Sequence, residues 1–425
     1  MPTAVNEPML IGDDLRRAAR ERGWTDELIE RAARMRVPPG ALRQWLSWSR
    51  QDEKRIVQML DRIEQQTFGA LRVREATFDD NEKYAELFLN SPEQIGEWQV
   101  TVERGPYAFA QFRLQEHAQI QVLEEGGVLL ASIARSTRNA LVGGVPLSVR
   151  FSSAARTHHA ARGRGLSHYV RAQGPATVPY AQADYWYFRS QNFAAFAWLR
   201  AGNPGRLSDA PERDGDVPGI PITVQHFPAL PFDGPTHGIR HARREDAPAC
   251  AALINRTHAD LDLFRPYTAE FLEGRLDDGG WGPKPDWWIP VYGWADYWVL
   301  EEDGRVVACA GLWDRGRHLR ERWRHTATGE ERLLERTALL DFGFAEGREE
   351  AMARLVAHLI GETYRLGRVQ LMAPLDQLPA LAERLAAHEP VAETWSMEWE
   401  YFPPKGSGLP EQLPITKPYT DLAYW

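Results

Sequence analysis

Cysteine is almost missing from this chain: two of 425 residues, Cys250 and Cys309. Two thiols build neither a disulfide framework nor a multi-cysteine metal site, and they suit a reducing, cytoplasmic setting. Long apolar runs are missing too. No stretch approaches the roughly 20 apolar residues of a membrane helix. The opening MPTAVNEPMLIGDD has no basic segment leading into an apolar one, so no secretory leader is expected. Nor is there an excess of positive charge. Lys and Arg number 50 against 59 Asp and Glu, a net charge of −9. That balance argues against a general nucleic-acid binder, whose partner is a polyanion, although a local basic cleft remains compatible with it. His158-His159 has no third ligand at useful spacing, so no metal is expected.

What is present suffices for two or three domains. Apolar residues make up 43% of the chain and charged residues 26%, ordinary values for a protein with real cores. Sixteen tryptophans are unusual, and several crowd the segment Trp281 to Trp298, which suits either a pocket for a flat or cationic substrate or a domain interface. Residues 1–69 read as a helical extension. Thr25 ahead of Asp26 and Glu27 marks a helix start, and Ile56, Leu60 and Ile63 form an apolar stripe. From Leu71 the texture is α+β: strand, turn and helix, then β-rich stretches through FAQFRLQEHAQIQVLEE, VLLASIARSTRN and VPLSVRFSSAART. A glycine turn leads into a further helix, and ADYWYFR and IPITVQHFPA follow as strands. Near Gly238 the order restarts: strand, Arg-Glu-Asp turn and helix, the YWVLEEDGRVVACAGLWD hairpin, LLERTALLDFGF as a strand, a long helix, VQLMAPL, a helix and WSMEWEYF. A repeated element order at slight identity predicts duplication of one α+β unit, over 70–237 and 238–402. Residues 403–425 form a proline-rich tail that either docks or dangles.

The sharpest motif is Arg162-Gly163-Arg164-Gly165-Leu166-Ser167, between a predicted strand and a predicted helix. A glycine turn at a helix N-terminus presents free backbone N–H groups and the positive end of the helix dipole. Glycine lets the backbone approach a phosphate without a Cβ in the way. A Walker loop is absent, and a dinucleotide fingerprint would need a small residue where His168 stands.

The motif resembles the loop of the GNAT superfamily of N-acetyltransferases, Gln/Arg-x-x-Gly-x-Gly/Ala between the fourth strand and third helix. Here those positions are Ala160, Ala161, Arg162, Gly163, Arg164 and Gly165, with Ala160 departing from the pattern. Downstream, QNFAAFAWLRAG is similar to the family's second motif. The stretch NALVGGVPLSVRFSSAARTHHAARGRGL resembles tandem GNAT acetyltransferases of the enhanced-intracellular-survival type, over about residues 71 to 400. The resemblance implies two tandem GNAT-like mixed-sheet domains, with the cofactor loop in the first and a degenerate second. It implies acetyl-CoA or another acyl-CoA as co-substrate, with its pyrophosphate on Arg162, Gly163, Arg164, Gly165, Leu166 and Ser167. Its pantetheine would run along Ala155 and Thr157.

One departure bears on mechanism. The family's second-motif tyrosine, the acid for the leaving thiolate, is replaced by Trp198, and indole is no practical acid. Tyr185, Tyr187 and Ser190 are the substitutes at hand, and Glu116 beside His117, read as part of a strand, is a candidate base. In the second unit Ala345-Glu346-Gly347-Arg348-Glu349-Glu350 holds the loop's place, and three carboxylates there repel a pyrophosphate. The expected function is N-acylation of a small-molecule amine by direct attack in a ternary complex. Other acyl-CoA chemistry, such as decarboxylation, and a non-catalytic CoA or metabolite sensor are the alternatives. No nucleic acid or membrane partner is expected, and the oligomeric state is open.

Overall fold

Each half of the chain opens with the same ionic knot. In the first, Arg74 donates to both oxygens of Asp80 at 2.6 and 2.7 Å and to Glu124 at 2.7 Å, while the Thr77 N–H caps Asp80. In the second, Arg240 donates to both oxygens of Asp246 at 2.7 and 2.9 Å and to Glu301 at 3.0 Å, while the Arg243 N–H caps Asp246. Arginine stands six residues before aspartate both times, so the strand-to-helix turn is built alike in the two halves.

The structure, a computed structural model, describes residues 17, 19–21, 23–34, 71–162, 166, 170, 181–189, 192, 219–277, 291–375, 378–401, 409–410 and 412–424. In the N-terminal extension the described helix is α1 (Asp26–Arg34). It starts as expected, with Thr25 Oγ1 accepting the Leu28 N–H at 3.2 Å and Asp26 and Glu27 in its first turn. The stripe at Ile56, Leu60 and Ile63 lies outside the described residues.

The first half supplies β1 (Arg72–Glu75), α2 (Asn81–Leu89), β2 (Glu93–Ile95), β3 (Trp98–Arg104), β4 (Gln119–Glu125), β5 (Val128–Val142), β6 (Val145–Thr157), β7 (Ala183–Arg189) and β8 (Ile220–Pro228). The second supplies β9 (Ile239–His241), α3 (Ala247–His258), α4 (Ala269–Leu276), β10 (Tyr297–Glu302), β11 (Arg305–Trp313), β12 (Leu319–His325), β13 (Glu331–Leu334), β14 (Arg336–Phe344), α5 (Glu349–Arg365), β15 (Gln370–Ala373), α6 (Pro379–Leu385) and β16 (Val391–Tyr401). Two expectations are corrected. Residues Ala110–Leu114, read as β-rich, form a short 3₁₀ helix that buries Phe112 and Leu114. The single strand expected over 333–344 breaks at Glu335 into β13 and β14, which belong to different sheets.

Twelve strands form one mixed sheet in the order β1-β4-β5-β6-β7-β16-β8-β15-β14-β11-β10-β9, and β13-β12-β3-β2 form a second. The large sheet reads the same from both edges. At its centre the closing strands are exchanged: β16 pairs with β7, and β8 with β15. The large sheet is thus continuous across both halves. A half on its own would expose unpaired backbone at the edges these strands cover. The small sheet also joins the halves, through β3 and β12. One apolar core runs through both, including Tyr84, Phe109, Val149, Trp313 and Met397.

The tail docks. Asp262 accepts the backbone N–H groups of Thr416, Lys417 and Gly143 at 2.7, 3.1 and 2.7 Å, so one carboxylate ties the tail to both halves. Tyr419, Leu422, Ala423 and Tyr424 are buried behind it.

Candidate active site

The site begins where two parallel strands part. β6 and β7 pair only from Val149–Phe151 to Ala183–Tyr185, and a bidentate Arg150–Asp184 bridge at 2.7 and 2.6 Å clamps this closed end. Beyond it β6 carries one residue too many. Ser132 and Ala134 of β5 face Arg156 and Ser153, and the bulged residue Ala154 has a φ of +50°. The Ser132 hydroxyl donates to the Ala154 carbonyl at 3.1 Å and holds the bulge. A bulge bends and twists its strand, so the β6 edge past Phe151 turns away from β7. The wedge widens into a cavity of about 570 Å³, lined by Ser152–Thr157 of β6 and Trp186–Arg189 of β7. Phe88 and Glu93 close one wall, Arg104, Leu319 and Glu321 of the small sheet another, and Tyr424 of the tail reaches in.

Ala155, Thr157, Arg162 and Leu166 all line this cavity. The Arg162 guanidinium donates to the Pro92 carbonyl. Gly163, Arg164, Gly165 and Ser167 lie outside the described residues, as do Ser190 and Trp198; Leu166 and Val170 are helical and buried. His158 and His159 stack at 4.6 Å, and the His159 ring meets the Asn90 carbonyl at 3.0 Å. Among the described residues no group of His, Cys, Asp or Glu is placed to hold a metal ion.

The candidate catalytic residues separate. Tyr187 faces the cavity. Tyr185 lies behind it, fully buried, with ring centroids 5.5 Å apart, and burial pushes its phenol up to about 12. Glu116 is not in a strand. It sits in a turn beside His117, whose φ is +44°, its carboxylate is held by Arg265, and it is not among the cavity-lining residues.

An ionic network that sequence reasoning missed forms the inner wall. Glu321 of β12 accepts from Arg189 at 2.7 Å, Arg336 at 2.9 Å, Arg315 at 3.2 Å and the Trp323 indole at 3.1 Å. Glu393 of β16 accepts from Arg189 at 2.8 Å and lies 3.0 Å from His226 Nε2. Burial pushes the Glu321 carboxyl up, but the three guanidiniums prevail and hold it well below the usual range. Burial keeps His226 neutral by lowering its pKa. These residues come from β7, β8, β12, β14, β16 and the turn before β12, so no local motif announces them.

The second half repeats the device and closes it. Cys309 and Gly311 of β11 face Gly343 and Leu340 of β14, and the bulged residue Asp341 has a φ of +48°. Here the space is filled. Asp341 is buried and accepts from Tyr267 at 2.6 Å and Arg275 at 2.9 Å. The segment Ala345–Glu350 runs from the end of β14 into the first turn of α5, with Glu346 turned to Arg256 at 3.0 Å. Of the tryptophan cluster, 281–290 lies outside the described residues, and Trp298 packs on His241 away from the cavity. No described helix is long and apolar enough to cross a membrane.

No family model matches the sequence, and no curated protein matches it. Solved structures do. A Saccharomyces cerevisiae N-myristoyltransferase with bound myristoyl-CoA matches 81% of this chain and 83% of its own at 11% identity and a TM-score of 0.53. A second structure of that protein with myristoyl-CoA matches 81% and 86% at 12% identity and 0.53. A third, with inhibitors as well, matches 78% and 81% at 12% identity and 0.50. Identities this low speak to fold, and the finer likeness to the enhanced-intracellular-survival type is not seen in them. The chain is similar in fold to that N-myristoyltransferase, an α+β fold around one large mixed sheet.

Proposed function

We propose that this protein is an acyl-CoA-dependent N-acyltransferase acting on a small-molecule amine, with acetyl-CoA the first donor to test. The observation that carries the reading is the parting of β6 and β7 at the Ala154 bulge. It opens a cavity whose lining includes Arg162 and Leu166. A thioester laid along Ala155 and Thr157, pyrophosphate on residues 162–167, brings its carbonyl to the bulged β6 edge. Backbone N–H groups there polarise it. The same cavity admits the amine, so attack is direct and catalysis is mainly positioning.

Tyr187 takes the role of acid for the departing thiolate, because it faces the cavity whereas Tyr185 does not. Glu116 receives no role, since Arg265 holds its carboxylate outside the cavity. The filled second wedge makes the second half a wall rather than a second site. The test is coenzyme A release from acetyl- and longer acyl-CoAs across an amine panel. Amine-dependent release supports the reading. Carbon dioxide from malonyl-CoA without amine moves it to decarboxylation, and tight binding without turnover to a sensor.

A further inference from the structure

Two arginines at the inner end of the cavity have donors with nothing to bind. Arg315, in the turn before β12, is 6% exposed and lines the cavity. Its Nη2 donates to Glu321 at 3.2 Å, while Nε and Nη1 are buried with no hydrogen-bond partner. Arg104, on β3 opposite Leu319 of β12, is 8% exposed and also lines the cavity. Its two terminal nitrogens serve the Ala108 carbonyl at 3.0 Å and the Gln111 side chain at 3.2 Å, both neutral, and its Nε is unpartnered. Its guanidinium rests on Phe88, 4.1 Å from the ring centroid. A buried charged donor left unmade is strongly unfavourable.

The surrounding charge points the same way. Arg104, Arg156, Arg189, Arg315 and Arg336 face Glu93, Glu321 and Glu393. Glu93 is committed to Arg156, and the other two to Arg189, Arg315 and Arg336. His226 is neutral. Arg104 therefore has no carboxylate among the described residues. Burial pulls its guanidinium down to about 10, the positive charges of Arg156 and Arg315 adding to the effect against Tyr84, and it stays charged at neutral pH. What this end lacks is an anion with two oxygens for three donors. The two oxygens of a carboxylate can accept charge-assisted hydrogen bonds from separate guanidinium N–H groups.

We propose that Arg315 and Arg104 bind a carboxylate of the acyl acceptor, which makes the acceptor an amino carboxylate. The proposal rests on the acyltransferase reading for the word acceptor. Phe88, Val102, Trp186 and Leu319, which line the same cavity, favour one with an apolar side chain.

The test is calorimetric titration of glycine, L-leucine and L-phenylalanine, each against its carboxamide, into the full chain with and without acetyl-CoA. The expected result is at least tenfold tighter binding of the acid in one pair or more. In Arg315→Gln that preference falls below twofold while the acetyl-CoA Kd is unchanged. Arg104→Gln serves in its place if Arg315→Gln does not fold by circular dichroism, and the wild-type comparison stands without either. Equal or undetectable binding in every pair overturns the proposal, as does a preference that survives both substitutions. Tighter binding of phosphoethanolamine than of any amino acid overturns it in favour of a phosphate. A tenfold preference for succinyl-CoA over butyryl-CoA that Arg315→Gln abolishes overturns it by placing the anion on the acyl chain. If the acid preference holds but no acyl-CoA binds, the anion site stands and the acyltransferase reading fails.

Discussion

Replacing Glu321 by Gln removes a charge that three guanidiniums share and leaves Arg315 without a carboxylate. The carboxylate is 2% exposed and accepts from Arg189, Arg315, Arg336 and the Trp323 indole. Glutamine keeps the shape, but its NH₂ would face guanidinium N–H groups, donor against donor. Glu393 still reaches Arg189 and Arg336, and nothing in the network replaces Glu321 for Arg315. Breaking a buried ion pair from one side costs about 3–5 kcal/mol. Because β12 belongs to the small sheet and Arg189 and Arg336 to the large one, the loss falls on the joint between them. Urea unfolding at pH 7 is expected to show a lower midpoint at unchanged m. The pH dependence is a second check. Glu321 is held well below the ordinary value of 4.5, so its stabilisation is complete above about pH 4.5 and is lost as pH falls below it. The gap between wild type and Glu321→Gln should therefore narrow in acid. A loss under about 1 kcal/mol, or a gap independent of pH, would refute the reasoning.

Three further outcomes are expected. Tyr187→Phe lowers kcat by about 10²-fold or more with acyl-CoA affinity unchanged, whereas Tyr185→Phe has little effect on kcat; equal effects in steady-state kinetics would remove Tyr187 from the acid role. Gly343→Ala destabilises by roughly 1–3 kcal/mol, because a Cβ there meets the backbone of α3 2.4 Å from Ile254 N; a thermal melt unchanged within a degree would show that the helix yields freely. His258, buried and neutral with Nε2 on the Phe342 carbonyl at 2.9 Å, is pulled down to about 4 by burial. Between pH 6.5 and 4 the unfolded chain takes up a proton that the folded one refuses. Stability then falls with pH by up to roughly 3 kcal/mol, a slope that His258→Leu should flatten in denaturation at stepped pH.

What was legible in the sequence was whatever a local pattern carries. The strand ending at Thr157, the strand and helix that follow Gly238 and the helix after Phe344 all announce themselves by periodicity or by turn residues. The recurring Arg74–Asp80 and Arg240–Asp246 spacing was visible too, yet its meaning needs Glu124 and Glu301 from partner strands. Pairing partners are silent in a single strand's pattern, so the exchange of β8 and β16 was hidden. The break at Glu335 was hidden because its neighbours on both sides suit a strand. Arg104, Arg189, Arg315 and Glu321 read as ordinary surface charges until two sheets bury them together. Glu116 misled for the converse reason: a carboxylate in apparent β context says nothing of the arginine that holds it.

The central claim is that the wedge between β6 and β7 is an acyl-CoA site. Calorimetric titration of acetyl-CoA, and of a longer acyl-CoA, into wild type and into Gly163→Glu with Gly165→Glu tests it most directly. The account predicts one site in the wild type and none in the double variant, with its fold intact by circular dichroism. No binding of either thioester to the wild type, or undiminished binding to the variant, would contradict it.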